Sequence, residues 1–169
     1  MEKFDLAKFT EKKLKKSQAF ITDDSEHVSL FEYPDSFQKD IRKDKSPIKT
    51  SKVYFKESLQ LKKEGNFFHG FPVGIHRSYN KDGNIVEEID FDAQFSFSLD
   101  SLQKKIKDIY GRNIQDIEQK TGVWRSIHPY PHYIISIPLS ENPRGDLRKI
   151  KVNGETGEIE LETISKYTQ

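Results

Sequence analysis

The sequence predicts an α+β protein: an antiparallel sheet built from short hairpins, with an N-terminal helix, a central helix and a C-terminal β-hairpin. Three observations predict it. Residues 70–88, GFPVGIHRSYNKDGNIVEE, read as strand, tight turn and returning strand, with Gly83 where a hairpin turn needs a positive φ. Leu99, Leu102, Ile106, Ile109 and Tyr110 recur at helical spacing between a capping Ser98 and a terminating Gly111. Lys149–Val152 and Glu158–Thr163 alternate apolar and polar residues on either side of Asn153-Gly154-Glu155-Thr156-Gly157. A chain of 169 residues suits a single domain, or two lobes sharing a core, and is long enough to bury a sizeable interior.

The elements follow in order. From Glu2 to Lys16, Phe4, Ala7, Glu11 and Leu14 fall at helical spacing, flanked by Leu6 and Phe9, and lysines gather at the C-terminal end where the macrodipole favours them. Ala19–Ser46 leaves strand and loop open: Val28, Leu30 and Tyr33 fit a strand that Pro34-Asp35 ends, and Arg42–Pro47 reads as a solvated loop. Val53–Lys63 alternates loosely as a strand. Gly65, Gly70, Gly74 and Pro72 then surround Phe67, Phe68 and Phe71. Gly74–Tyr79 and Ile85–Phe91 form the hairpin already described. Beyond the helix, Ile114 and Ile117 are a short helical pair or a loop, and His132–Leu139 is a β-branched strand. The chain thus divides into an N-terminal helix and variable segment (1–52), repeated hairpins (53–92), and a helix with an antiparallel sheet (98–165).

Composition narrows the function. Charged residues make up 33% and hydrophobic ones only 34%, but 12 Phe and 7 Tyr supply large apolar surfaces. Net charge is +1, so no global field favours nucleic acid. The charge is unevenly spread: +4 over Met1–Lys63, −5 over Glu64–Asp100 and +2 over Ser101–Gln169. There is no cysteine, which excludes disulfides, thiol catalysis and Cys-ligated zinc. No apolar run suits a signal peptide or a membrane span, so a cytoplasmic protein with no membrane partner is expected.

A repeat lies in the middle of the chain. Tyr54–Glu64 overlays Ser78–Glu88 at an offset of 24 residues, with Phe55 on Tyr79, Leu61 on Ile85 and Glu64 on Glu88; Phe67 then meets Phe91. One such unit cannot bury its face alone, so two are expected side by side in one sheet. The unit resembles the MORN repeat, and more closely the MORN-like repeat of bacterial antitoxin components: an aromatic pair, polar residues, an Asn/Asp-Gly turn, an aliphatic residue, then charges. Gly70-Phe71-Pro72-Val73-Gly74 and Tyr79-Asn80-Lys81-Asp82-Gly83-Asn84-Ile85 carry the likeness. It departs at His76, where an aromatic such as Trp is usual, and at Leu59, where the first unit lacks the turn glycine. The Lys149–Thr163 hairpin is also similar to the closing strands of PepSY-type domains. The order of elements looks like small bacterial immunity proteins that neutralise secreted or polymorphic toxins, including those of type VI secretion. The resemblance implies a non-enzymatic immunity protein that binds a cognate toxin and neutralises it by occlusion, nucleases being one class of such toxins. The alternative it implies is a MORN-type scaffold that holds a protein or a membrane surface.

The residues themselves show little catalytic apparatus. His128 and His132 are four apart, a metal spacing on a helix, but Pro129 and Pro131 forbid that helix. His27, His69 and His76 have no carboxylate at ligand spacing, and no nucleophile elbow or phosphate loop is present, so neither cofactor nor metal is expected. Lys12, Lys13, Lys15 and Lys16 read as a solvated helix face. The acids are more informative. On a strand, Glu88, Asp90 and Asp92 face one way, while Ile89 and Phe91, with Ile85, anchor the other side. Glu88, Asp90, Asp92, Phe67, Phe68, His76, Trp124 and Tyr130 are therefore the expected partner-binding residues, an acidic rim around aromatic anchors.

Overall fold

The computed structural model describes residues 2–15, 18–22, 25–140 and 145–166. These form two α-helices, one 3₁₀ turn and twelve strands in two antiparallel sheets, an α+β architecture. The chain falls into two compact units, Met1–Phe91 and Asp92–Gln169, divided where the repeated hairpins end.

The first unit is a meander. Its strands are β1 (Lys13–Lys15), β2 (Gln18–Thr22), β3 (Glu26–Glu32), β4 (Ser36–Lys43), β5 (Ile48–Phe55), β6 (Leu61–Phe68), β7 (Phe71–Tyr79) and β8 (Ile85–Asp90). They lie in the sheet in chain order, each antiparallel to its neighbours. One face carries the core. Leu30, Phe37, Tyr54 and Leu61 point to the same side and pack with Phe4 and Phe9 from the N-terminus. The Phe4 ring stacks on Phe37 at 4.6 Å and tilts against Tyr54 at 5.4 Å. Such ring pairs add roughly 0.5–1.5 kcal/mol each beyond area burial.

The N-terminal helix, α1 (Leu6–Lys12), is shorter than the spacing predicts. Phe4 precedes it, held by its amide to the Leu59 carbonyl at 2.8 Å, and Asp5 caps the helix by accepting the Lys8 amide at 2.9 Å. Burial belongs to Phe4 and Phe9, while Ala7 and Glu11 are exposed. The aromatic rings, not the mixed stripe, decide which side faces the sheet. Lys16 and the side chain of Leu14 lie outside the described residues.

The segment whose sequence left strand and loop open is strand: β3 and β4 form a hairpin around Tyr33–Asp35, closed by the Tyr33 amide donating to the Ser36 carbonyl at 2.8 Å. Arg42 and Lys43 belong to β4 and not to a loop. Strand β4 carries little sequence signal because Phe37 and Ile41 are its only large apolar residues.

The 24-residue offset recurs in the backbone. Lys45 and His69 both take positive φ, at 58° and 48°, and so do Leu59 and Gly83, at 59° and 86°. Leu59 thus adopts the turn conformation that glycine supplies one unit later. Both hairpins carry a bulge at the matching place, Lys62 between Leu61 and Lys63, and Val86 between Ile85 and Glu87. The pairing corrects one detail of the alignment. Tyr54, not Phe55, occupies the place of Tyr79, since Tyr54 faces Leu61 as Tyr79 faces Ile85. The first hairpin simply has the longer turn.

In the second unit, α2 (Leu99–Tyr110) starts at Ser98, whose hydroxyl accepts the Ser101 amide, and ends at Gly111, left-handed at φ 66°. Leu102 and Ile106 are completely buried. Ile109 is not: it is 53% exposed, against the expectation that it joins them. Its place is taken by Tyr110, whose hydroxyl donates to Glu162 at 2.7 Å and whose ring lies under the Arg148 guanidinium at 5.3 Å. The sheet comprises β9 (Gly122–Ser126), β10 (His132–Pro138), β11 (Leu147–Asn153) and β12 (Ile159–Ser165), ordered β12-β11-β10-β9. Val123, Tyr133, Ile135, Ile137, Ile150 and Val152 are its buried residues. Among the described residues, no helix is long and apolar enough to cross a membrane.

Candidate binding surfaces

The first sheet has a second face. An antiparallel sheet with one side in the core commonly leaves the other open, and on this side the strand pairing sets Asp40, Ser51 and Gly65 in one row. Gly65 matters because of what lies over it. The His76 ring rests on the glycine so closely that a Cβ there would stand 2.4 Å from ring atoms. The His76 Nε2–H donates to the Asn66 carbonyl at 2.8 Å, which fixes the ring. Phe67 and Phe91 meet it edge-on from either side, with centroids at 5.2 and 4.6 Å. The three rings border a groove of about 250 Å³, whose walls include Val53, Glu87 and Ile89.

A polar network adjoins the groove. The Asp40 carboxylate accepts from Ser51 Oγ at 2.7 Å, Gln38 Nε2 at 2.8 Å and Lys49 Nζ at 2.9 Å. The Lys49 ammonium also lies 5.2 Å from the Phe67 ring centre. Ser51 spends its proton on a carboxylate and His76 spends its own on a backbone carbonyl. The arrangement holds rings in place and forms no nucleophile–base pair.

The second sheet presents a different surface. Across it run Trp124, Ile134, Lys151 and Leu161, each paired with the next. Trp124 closes against Gly122, where a Cβ would stand 2.7 Å from the indole, and remains half exposed. Tyr130 is held in a network. Its hydroxyl donates to Glu160 at 2.6 Å and accepts from Lys151 at 2.5 Å, with the Lys151 ammonium 4.4 Å from its ring centre. Tyr130, Asn153 and Lys151 together hold the Glu160 carboxyl below the usual carboxylate range.

The expected partner-binding residues therefore divide between the units. Phe67 and His76 meet in the groove of the first, and Trp124 and Tyr130 stand on the sheet of the second. Phe68 belongs to neither surface: it is only 3% exposed and cannot reach a partner. It alternates with Phe67 along β6, so one of the two must turn inward.

The acidic strip is also smaller than its spacing suggests. Strand β8 ends at Asp90, and Asp92 lies beyond it, paired with Arg125 at 2.6 Å. Glu88 accepts from Arg77 Nε at 2.8 Å. The expected anchors Ile85 and Ile89 are 53% and 43% exposed, and β8 is the end strand of its sheet among the described residues. The contribution of Gly65 is not evident from the sequence, where its signal is a lone glycine inside a strand. No family model, curated protein or solved structure matches the chain.

His128 stands in the loop before β10, and His132 begins that strand, mostly buried, with Nδ1 2.8 Å from the Tyr130 carbonyl. Among the described residues no group of three or more His, Asp or Glu is placed to hold a metal.

Proposed function

We propose that this protein is a non-enzymatic binding module that occludes a protein partner, and that the partner is a bacterial toxin acting in the same cytoplasm. One observation carries the binding role: the groove where Phe67, His76 and Phe91 are locked side by side on the open face of the sheet. Rigid, half-buried aromatic rings give contact area at little entropic cost, which is what an interface centre needs. The toxin part rests on the MORN-like resemblance, supported by turns and bulges that repeat at the 24-residue offset. A toxin with a basic active site, such as a nuclease, suits the acidic segment after Glu64.

The repeated turns also favour a second reading, a scaffold of the MORN type that holds a protein or a lipid surface. The two separate in one experiment. The product of the adjacent gene is expressed with and without this protein, growth is followed, and the purified pair is titrated by calorimetry. An immunity protein restores growth and binds one to one. A scaffold leaves growth unchanged and instead sediments with anionic vesicles or with another protein.

A further inference from the structure

Strand β8 has β7 on one side and, among the described strands, none on the other. All six of its residues, Ile85–Asp90, are exposed, and Ile85, Val86 and Ile89 stand 53%, 62% and 43% in solvent. An end strand with that much apolar surface is a template for pairing with another chain. Its charge decides which chain. Glu87, Glu88 and Asp90 are half of the strand, and it carries no base. A second copy pairing antiparallel through the same strand would set carboxylates against carboxylates, which destabilises a sheet.

We propose that β8 is the docking edge for an extended, basic segment of the protein partner, which adds to the first sheet as a further strand. This rests on the binding role proposed above and names the contact through which it acts. The Phe91 amide donates to the Gly74 carbonyl at 3.0 Å. Antiparallel alternation then turns the amides of Ile89 and Glu87 toward β7 and that of Glu88 outward. Glu87, Ile89 and Phe91 also border the groove, so an added strand runs along its rim. Main-chain bonds supply affinity, and alternate side chains supply specificity: lysine or arginine on the face of Glu88 and Asp90, apolar residues on the face of Ile89 and Phe91. The end strand of the second sheet, β12, carries two acids, Glu160 and Glu162, where β8 carries three.

The test uses the whole chain and a six-residue blocked peptide alternating valine and lysine, with an alternating valine–glutamate peptide as control. Hydrogen exchange of the Glu88 amide is followed by NMR. The valine–lysine peptide slows it by about tenfold or more at saturation, and the control binds about tenfold more weakly, since a like-charged strand is repelled. Glu88→Pro removes the outward amide at an edge position and abolishes peptide binding, whereas Glu88→Gln keeps the amide and binds within about tenfold of the unaltered chain. Unchanged exchange with the valine–lysine peptide overturns the proposal, as does equal binding by a folded Glu88→Pro chain. If that variant does not fold, the exchange measurement on the unaltered chain decides alone. A partner that binds Glu88→Pro at full strength but fails with the groove variant Phe67→Ala/His76→Ala sinks the edge proposal and leaves the binding role intact. A peptide that docks while the adjacent-gene product does not bind leaves the edge and removes the toxin.

Discussion

Gly65 is where a single missing Cβ shapes the first sheet's open face. With an alanine there the Cβ would meet the His76 ring at 2.4 Å, and the ring would have to leave its seat and its bond to the Asn66 carbonyl. Gly65→Ala is expected to cost about 1–3 kcal/mol, the usual range for overpacking. In a His76→Ala background the cost falls by about 0.5 kcal/mol or more, a coupling that chemical denaturation of the four chains in a double-mutant cycle measures. Equal costs in both backgrounds would mean the ring does not depend on the glycine. Glu2 is a second residue with a readable consequence. Burial pushes its carboxyl up, but the Lys52 ammonium and the Tyr54 hydroxyl, at 2.8 Å, outweigh it and hold the group below the usual carboxylate range. A depressed folded-state pKa contributes stability above the unfolded value and loses it as pH falls through the folded one. Glu2→Gln is therefore expected to be less stable than the unaltered chain near neutral pH, by about 1 kcal/mol or less for so exposed a carboxylate. The gap should close as acid protonates Glu2, which thermal melts across pH reveal.

At the scale of elements, α2 shows what local chemistry makes legible. Its caps, Ser98 and Gly111, are short-range features, and the helical period holds Leu102 and Ile106 on one side. Period alone could not tell that the last turn buries Tyr110 contacts instead of Ile109, because that depends on Glu162 and Arg148, far away in sequence. Ile106→Ala is expected to cost about 2–5 kcal/mol and Ile109→Ala less than about 0.5 kcal/mol, both read from denaturant midpoints. A similar cost for both would mean the helix is rotated from the face described. The strands divide in the same way. Hairpins with a turn glycine, such as the one at Gly83, can be read from sequence. The hairpin at Leu59 has the same backbone conformation without the glycine, and β4 lacks the alternation that marks a half-buried strand. Phe68 turns inward, against the expectation, for a related reason: the alternation of Phe67 and Phe68 is plain in the sequence, but which one faces the core depends on where α1 lies.

At the scale of the molecule, the charge pattern bears on the proposed partner, with one correction. Asp92 pairs with Arg125, whose side chain is only 6% exposed, so neutralising it would strip a nearly buried guanidinium of an ion-pair partner. A charge variant that leaves the fold alone should change Glu87, Glu88 and Asp90 and spare Asp92. What the sequence could not show is that the aromatic anchors are held on two separate sheets, or that the groove depends on a glycine. Both follow from pairing register, which composition and period leave open. The central claim is that the locked rings of Phe67 and His76 are the heart of a partner interface. The most direct measurement is the dissociation rate of the complex between this protein and the adjacent-gene product, with and without Phe67→Ala/His76→Ala. The account predicts a rate at least about tenfold faster for the variant at an unchanged fold, since hot-spot losses appear mainly in dissociation. A folded variant that releases the partner as slowly as the unaltered chain would contradict it.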